Sequence, residues 1–457
     1  MKFRRFTCII TVLILCFMLQ GALGETLITQ RVLVDDRNEA CQTFKQAHPN
    51  VEFSAGYEYY SATETYLDAL SKSHFDLFGI STNVYDCREI MEKGSCADLS
   101  KSDVVQVALA RMHEPIREQL KYDGKVYGIP TGISFSAFSW CDDAFQAAGL
   151  SEADVPNTYP QLLDFLDSWI GRIKVDHIDN ISVNNMFDET YYGKDSYVRY
   201  LLDILMDCYV TQCEYSGEPM QFDKPEFREL LDRTKIVGKA LYDAEPRRKG
   251  KMQLFSNTLN CWSYHEIDDG LSHVIPMRLR EDQPALIKAQ MDMLCAGADG
   301  GQSDLALAYL ENALNHMDQY AQTFAFTDSD PLERADLESQ IADQQDRIDE
   351  TRRNLENLDK NAPTRAELEN NLLNQTQMLQ KMQSDEYRYF ISPEWLADYK
   401  AYAYLLYFPP PGTFGDWTEA GRDMRQLIAD FADGSIITDT FIQRMEQIAR
   451  PAEAKNE

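Results

Sequence analysis

The sequence predicts an α/β protein carrying an inserted antiparallel helical hairpin, and two patterns predict it. Strand-like and helix-like stretches alternate from Glu25 to about Ile80, as in a parallel, doubly wound layer. Further on, the stretch from Leu332 to about Glu386 is rich in Glu, Gln, Asn, Arg and Leu, lacks Gly and holds a single Pro. With 457 residues, 44% of them hydrophobic and 11% aromatic, the chain has material for two or three domains with real cores.

Taken in order, the first elements are an extended stretch Thr26 to Val34, a helix from about Asn38 to His48, a strand Val51 to Phe53, a helix Thr63 to Lys72 and an apolar strand Phe75 to Ile80. That strand breaks into Ser81-Thr82-Asn83, small polar side chains at a carboxyl end, where open α/β sheets hold ligands. A helix is expected from about Asp103 to Leu120, then a hairpin turn at Tyr122-Asp123-Gly124-Lys125 and a strand from Val126 through Pro130 to Trp140. An amphipathic helix Gln161 to Trp169 comes next, with Thr158 as its N-cap.

The insertion reads as two helices. Leu337, Ile341, Gln344, Ile348, Thr351, Leu355 and Leu358 fall at alternating spacings of four and three, and Leu368, Leu372, Gln375, Leu379 and Met382 repeat the pattern after Pro363. Thr364 with Glu367 has the form of a capping box. The hairpin is either a docking arm for a partner or a decoration packed on itself, with Gln344, Thr351 and Gln375 on its seam.

Charge and targeting narrow the function. Asp and Glu number 74 against 44 Lys and Arg, a formal charge of -30, so nucleic acid and anionic membrane surfaces are excluded as partners for most of this surface. Lys2, Arg4 and Arg5 precede an apolar run from Cys8 to Leu19 and the small residues Ala22 and Gly24, which reads as a signal peptide over residues 1–24. The expected location is therefore extracellular, cell-surface or periplasmic. Neither Cys8 nor Cys16 follows a small residue, so no lipoprotein attachment site is expected.

Eight cysteines remain after the signal peptide, with Cys87–Cys96 and Cys208–Cys213 as the local pairs available for disulfides; the other reading makes most of them small buried hydrophobes. The histidines form no H-E-x-x-H and no i,i+4 pair, and G-x-S-x-G and Walker-type motifs are absent from the sequence. No catalytic residue, metal or cofactor is expected.

Several segments, in order, carry a resemblance: Phe75-Asp76-Leu77-Phe78-Gly79-Ile80, Ala97-Asp98-Leu99-Ser100, Asp123 to Pro130, Asp143 to Leu150 and Pro156-Asn157-Thr158-Tyr159. Over about 140 residues they resemble the extracellular solute-binding proteins of ABC importers, the large carbohydrate-type group with a periplasmic-binding-protein-like fold. Looser matches are Phe222-Asp223 with Pro225 and Phe227, Cys261-Trp262-Ser263-Tyr264, and Asp433-Gly434 to Phe441.

The resemblance implies two lobes joined by two or three crossover strands, a small solute held in the cleft between them, and ABC permease subunits as partners. It implies a first lobe over residues 25–135 and 272–330, a second over 136–271, the hairpin over 331–387, and C-terminal helices over 388–457 closing the second lobe. One crossover is expected at Pro130 to Trp140, and a return near Ser272 to Pro276. Sugar sites combine aromatic walls with a few polar side chains, so the expected ligand residues are Ser81, Thr82, Asn83, Ser134, Trp262, Tyr264 and Glu266. Tyr407 and Phe408, before Pro409-Pro410-Pro411, extend the aromatic inventory.

Two other functions share this architecture. Thiaminase I, which cleaves thiamin through a Cys nucleophile activated by a Glu, resembles solute-binding proteins in fold, and its Tyr-Ser-Glu stretch is similar to Tyr264-His265-Glu266. Where it carries the nucleophile this sequence has Ser134, whose hydroxyl needs a base far stronger than a carboxylate. The other is a secreted sensor or binding module that reports its occupied state without transport.

Overall fold

Strand and helix alternate from the first described residue onward. The computed structural model describes residues 25–32, 38–176, 180–183, 193–245, 252–259, 272–359, 364–412, 414–415 and 418–450. The chain divides into two compact units, residues 1–327 with 402–457, and residues 328–401. The signal segment, Cys261, Trp262, Tyr264 and Glu266 lie outside the described residues.

The first unit opens with β1 (Glu25–Gln30), α1 (Glu39–Ala47), β2 (Val51–Gly56), α2 (Thr63–Ser73) and β3 (Leu77–Ser81). The side chain of Asn38 caps α1 by accepting the Cys41 N–H at 3.1 Å. Both β2 and β3 run parallel to β1. Buried Asp76 ties this layer to a distant part of the chain: its carboxylate accepts the Ile28 N–H at 2.8 Å and the Gln302 N–H at 2.7 Å.

The helix expected from Asp103 to Leu120 is broken in two, α3 (Asp103–Arg111) and a short helix Glu114–Gln119. Met112 is extended and bridges Phe326, and Pro115, which has no N–H to continue a helix, sits in the first turn of the second piece. The hairpin turn forms as expected: Lys121 pairs Val126, and Asp123 and Gly124 take φ of 48° and 72°, as a two-residue turn of this hand requires.

A single 13-residue strand, β4 (Ile129–Cys141), then crosses the unit. Beyond it come α4 (Tyr159–Asp176), α5 (Ser196–Ser216), α6 (Pro225–Ala244), β5 (Phe255–Leu259), β6 (Ser272–Ile275), β7 (Ile287–Ala296), α7 (Ser303–Asn315) and α8 (Gln319–Ala325). The sheet order is β6-β4-β7-β3-β1-β2, with β5 also on β4. β4 pairs with β7 through Ile129 to Phe135, and with β5 and β6 through Ser136 to Cys141, so its two halves belong to two lobes.

Ser272–Ile275, the expected return, is a strand of the second lobe paired with Phe138 to Cys141; β7 is the strand that leads back to β3. The second lobe's core is formed by α4, α5, α6 and the far half of β4 with the terminal helices. Within it, the Tyr159 hydroxyl donates to the Leu201 carbonyl at 2.8 Å and lies 2.8 Å from Thr234 Oγ1.

After the second unit the chain re-enters at β8 (Leu406–Tyr407), parallel to Ile287–Lys288 of β7, and ends in α11 (Glu419–Asp433) and α12 (Thr438–Ala449). The seven described cysteines after the signal segment are buried thiols. Cys87 and Cys96 are not bonded to each other, nor are Cys208 and Cys213. The Cys295 thiol is instead held far above its ordinary pKa by its hydrogen bond with Cys96 and by burial.

The second unit, residues 328–401, contains the hairpin: α9 (Leu337–Asn357) and α10 (Arg365–Met382). Gln344, Ile348, Thr351 and Leu355 of the expected seam are buried, and Gln344 Nε2 donates to the Gln375 carbonyl at 3.0 Å. The capping box at Thr364 does not form: Thr364 is helical in ψ and its side chain caps nothing, while Arg365 pairs with Glu369 at 2.9 Å. Short strands Leu332–Glu333 and Tyr389–Ile391 pair at the hairpin's base, with Leu332 opposite Ile391.

That base pairing brings entry and exit together, so a short Gly-Ser link can replace residues 334–388 at a loop-closure change of about 1 kcal/mol or less. The expected outcome is a soluble chain whose denaturant midpoint for the first unit is unchanged. A chain that aggregates or unfolds at markedly lower denaturant would show the second unit to be integral to the body.

Candidate functional site

Two faces of one ladder set the site. On β7, Ala289, Met291 and Met293 are buried, while Lys288, Gln290 and Asp292 alternate with them toward solvent. On β4, Ile133 and Phe135 share the buried face, and Ser134 stands opposite Gln290 and Gly132 opposite Asp292. Because side chains alternate along a strand, the register that buries the methionines must also gather the polar groups into a stripe.

At the near end of the stripe Asp292 pairs with Ser81 of β3. The Ser81 hydroxyl is 2.5 Å from Asp292 Oδ1 and 2.7 Å from Asn83 Oδ1, so its one proton faces two acceptors. The acceptor it does not serve is free for a ligand hydroxyl.

Four cavities line this stripe. The first, about 370 Å³, is framed by Arg31, Ser81, Thr131, Asp292, Tyr309 and His316. A second of about 230 Å³ shares Ser81 and Asp292 with it and adds Asn83, Ser134, Gln290 and Tyr320. A small third cavity, about 60 Å³, shares Asn83 and Gln290 and reaches Glu214, Lys288 and Pro410. The fourth, about 300 Å³, shares Lys288 and adds Phe138, Tyr200, Asp203, Asp207 and Thr211 of the second lobe. Asp292, Gln290 and Lys288 thus floor one trough running from the first lobe to the second.

Of the residues expected from sequence, Ser81, Asn83 and Ser134 meet in the second cavity. Thr82 does different work: it is buried, its hydroxyl accepts the Met291 N–H at 2.9 Å, and its own N–H donates to the Met291 carbonyl at 3.0 Å. It positions its neighbours by clamping β3 to β7. Trp262, Tyr264 and Glu266 fall outside the described residues. Tyr407 packs edge-on against Tyr215 with ring centroids 5.4 Å apart, and Phe408 is buried. The sequence reading missed Lys288, Gln290 and Asp292, although their strict alternation with apolar residues was a readable strand signal.

Residues 39–235 match the family model described as bacterial extracellular solute-binding protein. No curated protein matches the sequence. Among solved structures, the binding protein MsmE of Bacillus subtilis in an open conformation is similar over 93% of this chain and 96% of its own, with 14% identity and a TM-score of 0.54. Over residues 39–235 the chain is similar to the bacterial extracellular solute-binding proteins, and it shares the fold of MsmE.

Other similar structures are an ABC substrate-binding protein of Listeria monocytogenes in complex with cycloalternan and a sugar transporter of Bacillus licheniformis in complex with stachyose. The first is 12% identical, covering 94% of this chain and 98% of its own, with a TM-score of 0.48. The second is 13% identical, covering 92% and 98%, also with a TM-score of 0.48. No helix among the described residues is long and apolar enough to cross a membrane.

Carboxylates at the second-lobe end of the trough are poorly solvated. Desolvation raises Asp203 to about 6 and, more strongly, Glu214 to about 7, with Asp207 adding repulsion to both; Arg199 opposes the shift at Asp203 and Lys288 at Glu214. The Glu214 carboxylate lies against the backbone of Gly412, where a Cβ would come within 1.9 Å of its oxygen.

A carboxyl whose folded pKa exceeds its unfolded value near 4.3 holds a proton in the folded state that the unfolded chain has released. The stability the protein derives from Glu214 is therefore complete below about pH 4 and is lost as pH rises toward about 7. Glu214→Gln should raise stability at pH 8 by on the order of 1 kcal/mol, discounted for solvent screening, and change it little at pH 4. Urea unfolding at pH 4, 6 and 8 checks this; parallel pH profiles for the two proteins would contradict the raised pKa.

Proposed function

We propose that this protein captures a carbohydrate, a sugar or short oligosaccharide, in the trough along β7 and hands it to the permease of an ABC importer. One observation carries the reading: Ser81, Asn83, Ser134, Gln290 and Asp292 converge from three strands on adjoining cavities. Sugar hydroxyls each donate and accept, so a site of carboxylate, amide and hydroxyl groups beside tyrosines suits them. Tyr320 and Tyr309 border these cavities, and Trp262 and Tyr264 with Glu266 are the further wall and polar partner we assign to the ligand. Ligand binding draws the lobes together over β4 and β7, and the closed form is what a permease would read.

On this reading Ser134 is a ligand group and not a nucleophile. A further partner docking on the hairpin would meet Leu373 and Met378, which are exposed on α10.

A thermal-shift panel of sugars, oligosaccharides, amino acids and polyamines tests the proposal, since a ligand at a hundredfold excess over Kd adds about 2.7 kcal/mol of stability. A sugar is expected to produce the shift. Asp292→Asn should weaken that sugar's binding by about 1–3 kcal/mol, read by calorimetry, with little change in the unliganded midpoint. If amino acids or polyamines alone shift the midpoint, the carbohydrate assignment is wrong.

A further inference from the structure

The carboxyl edge of β1 carries a second feature next to the trough. Arg31, the residue after β1, takes a φ of 55°, which a non-glycine side chain adopts only when its surroundings compel it. Gly79 of β3 makes room for it: a Cβ there would lie 2.5 Å from the Arg31 carbonyl oxygen. So held, Arg31 lines the first cavity, and its guanidinium lies 5.6 Å from the ring centroid of Tyr59 and 5.5 Å from that of Tyr85. Its Nη1 donates to the Tyr85 hydroxyl at 2.7 Å.

The loop after β2, Tyr57-Glu58-Tyr59-Tyr60, is fastened to the same edge. Gln30 Nε2 donates to the Glu58 carbonyl at 2.8 Å, the Tyr85 hydroxyl donates to the Tyr60 carbonyl at 2.9 Å, and the Tyr60 hydroxyl donates to the Glu58 carboxylate at 2.6 Å. Three hydrogen bonds thus order a loop whose Tyr57 and Tyr59 nevertheless remain 61% and 59% exposed. Tyr60, at the end of that loop, stacks inward on Tyr66 at 5.4 Å. Ordering two large rings in water gains nothing from burial, whereas a pre-ordered ring flanked by a fixed guanidinium is a stacking surface with its entropy cost already met.

We propose that Tyr59, with Tyr57 beside it, is an outer stacking subsite for one ring of a neutral oligosaccharide whose other rings lie in the trough, with Arg31 joining the two. This rests on the carbohydrate reading above and deepens it: the preferred ligand is an oligosaccharide and not a monosaccharide. The apolar C–H face of a pyranose covers a tyrosine ring, and Arg31 offers donors to its hydroxyls.

Calorimetric titration with the malto-, cello-, chito- and raffinose–stachyose series, from one ring to four, tests it on the full chain. Wild type is expected to bind a tri- or tetrasaccharide more tightly than the shorter members of the same series. Tyr59→Ala should lower affinity for the long member about tenfold and leave a mono- or disaccharide unchanged. Tyr59→Phe, which keeps the ring, should retain long-chain affinity, and Tyr57→Ala should show a smaller loss of the same kind. All variants should keep the wild-type unfolding midpoint, since these rings are exposed. Long-chain affinity unaltered in both Ala variants, or an equal loss for short and long sugars, overturns the subsite while leaving the carbohydrate reading intact. A wild type that binds no member of the panel defeats the carbohydrate reading and the subsite with it.

Discussion

Everything in the first unit hangs on the ladder between β4 and β7. β4 is long enough to be a member of two lobes, paired with β7 through Phe135 and with β5 and β6 beyond it. A backbone shared in this way fixes where the lobes join. Its buried face, with Ile133, Phe135, Ala289 and Met291, holds the register, and a slip of one residue would turn those side chains into solvent. The polar face is then no free choice: Ser134, Gln290 and Asp292 are gathered by the same register that buries the others. Stability and the proposed recognition surface are two sides of one pair of strands.

That arrangement explains the clamps around it. Thr82 gives its hydroxyl to the Met291 N–H and so fixes Ser81 and Asn83 against Asp292. Asp76, at the other end of β3, commits its carboxylate to backbone N–H groups of Ile28 and Gln302 and holds β1 and the start of α7 in place. Each of these buried polar side chains is satisfied by backbone, as burial demands, and Thr82 leaves its exposed neighbours correctly aimed. At the second-lobe end the carboxylates of Asp203 and Glu214 are raised by desolvation, a cost tolerated beside the crossover where Lys288 offers partial compensation.

What could be read from sequence was local. The α/β alternation to Ile80, the Asp123-Gly124 turn, the crossover through Ser134 and the hairpin's two helices all rest on short-range periodicity or turn chemistry. The return strand was not legible, because Val274-Ile275 and Ile287 to Ala296 are both apolar runs and only long-range pairing with β4 decides between them. Of the two cysteine readings the buried-thiol one holds: sequence proximity offers Cys87 with Cys96 as a pair, while folding brings Cys96 beside Cys295 on β7. Of the expected site, Ser81, Asn83 and Ser134 stand out in the sequence as polar residues at a strand end and a crossover, and they line one cavity. The bond from the Met291 N–H to the Thr82 hydroxyl was not legible, since a hydroxyl's partner cannot be seen in one dimension. Gln290 and Asp292 were overlooked although their alternation was visible.

Charge narrows the ligand further. The chain carries a formal charge of -30, and its trough adds Asp292, Asp203, Asp207 and Glu214 against Arg31 and Lys288. Lys288 is already 3.3 Å from Asp207, and Arg31 is committed to Tyr85, so neither is an unengaged cation for an incoming anion. Surface charges act over about 8 Å at physiological ionic strength, but those lining a concave trough are screened less and dominate there. On the reading proposed above, a phosphorylated or carboxylated sugar would meet repulsion at Asp292, whereas a neutral sugar loses nothing to the field and gains acceptors for its hydroxyls. If the ligand is the neutral sugar proposed above, acidic side chains along the trough select by exclusion, and the tyrosines at its edge supply the attraction that such a ligand cannot draw from charge.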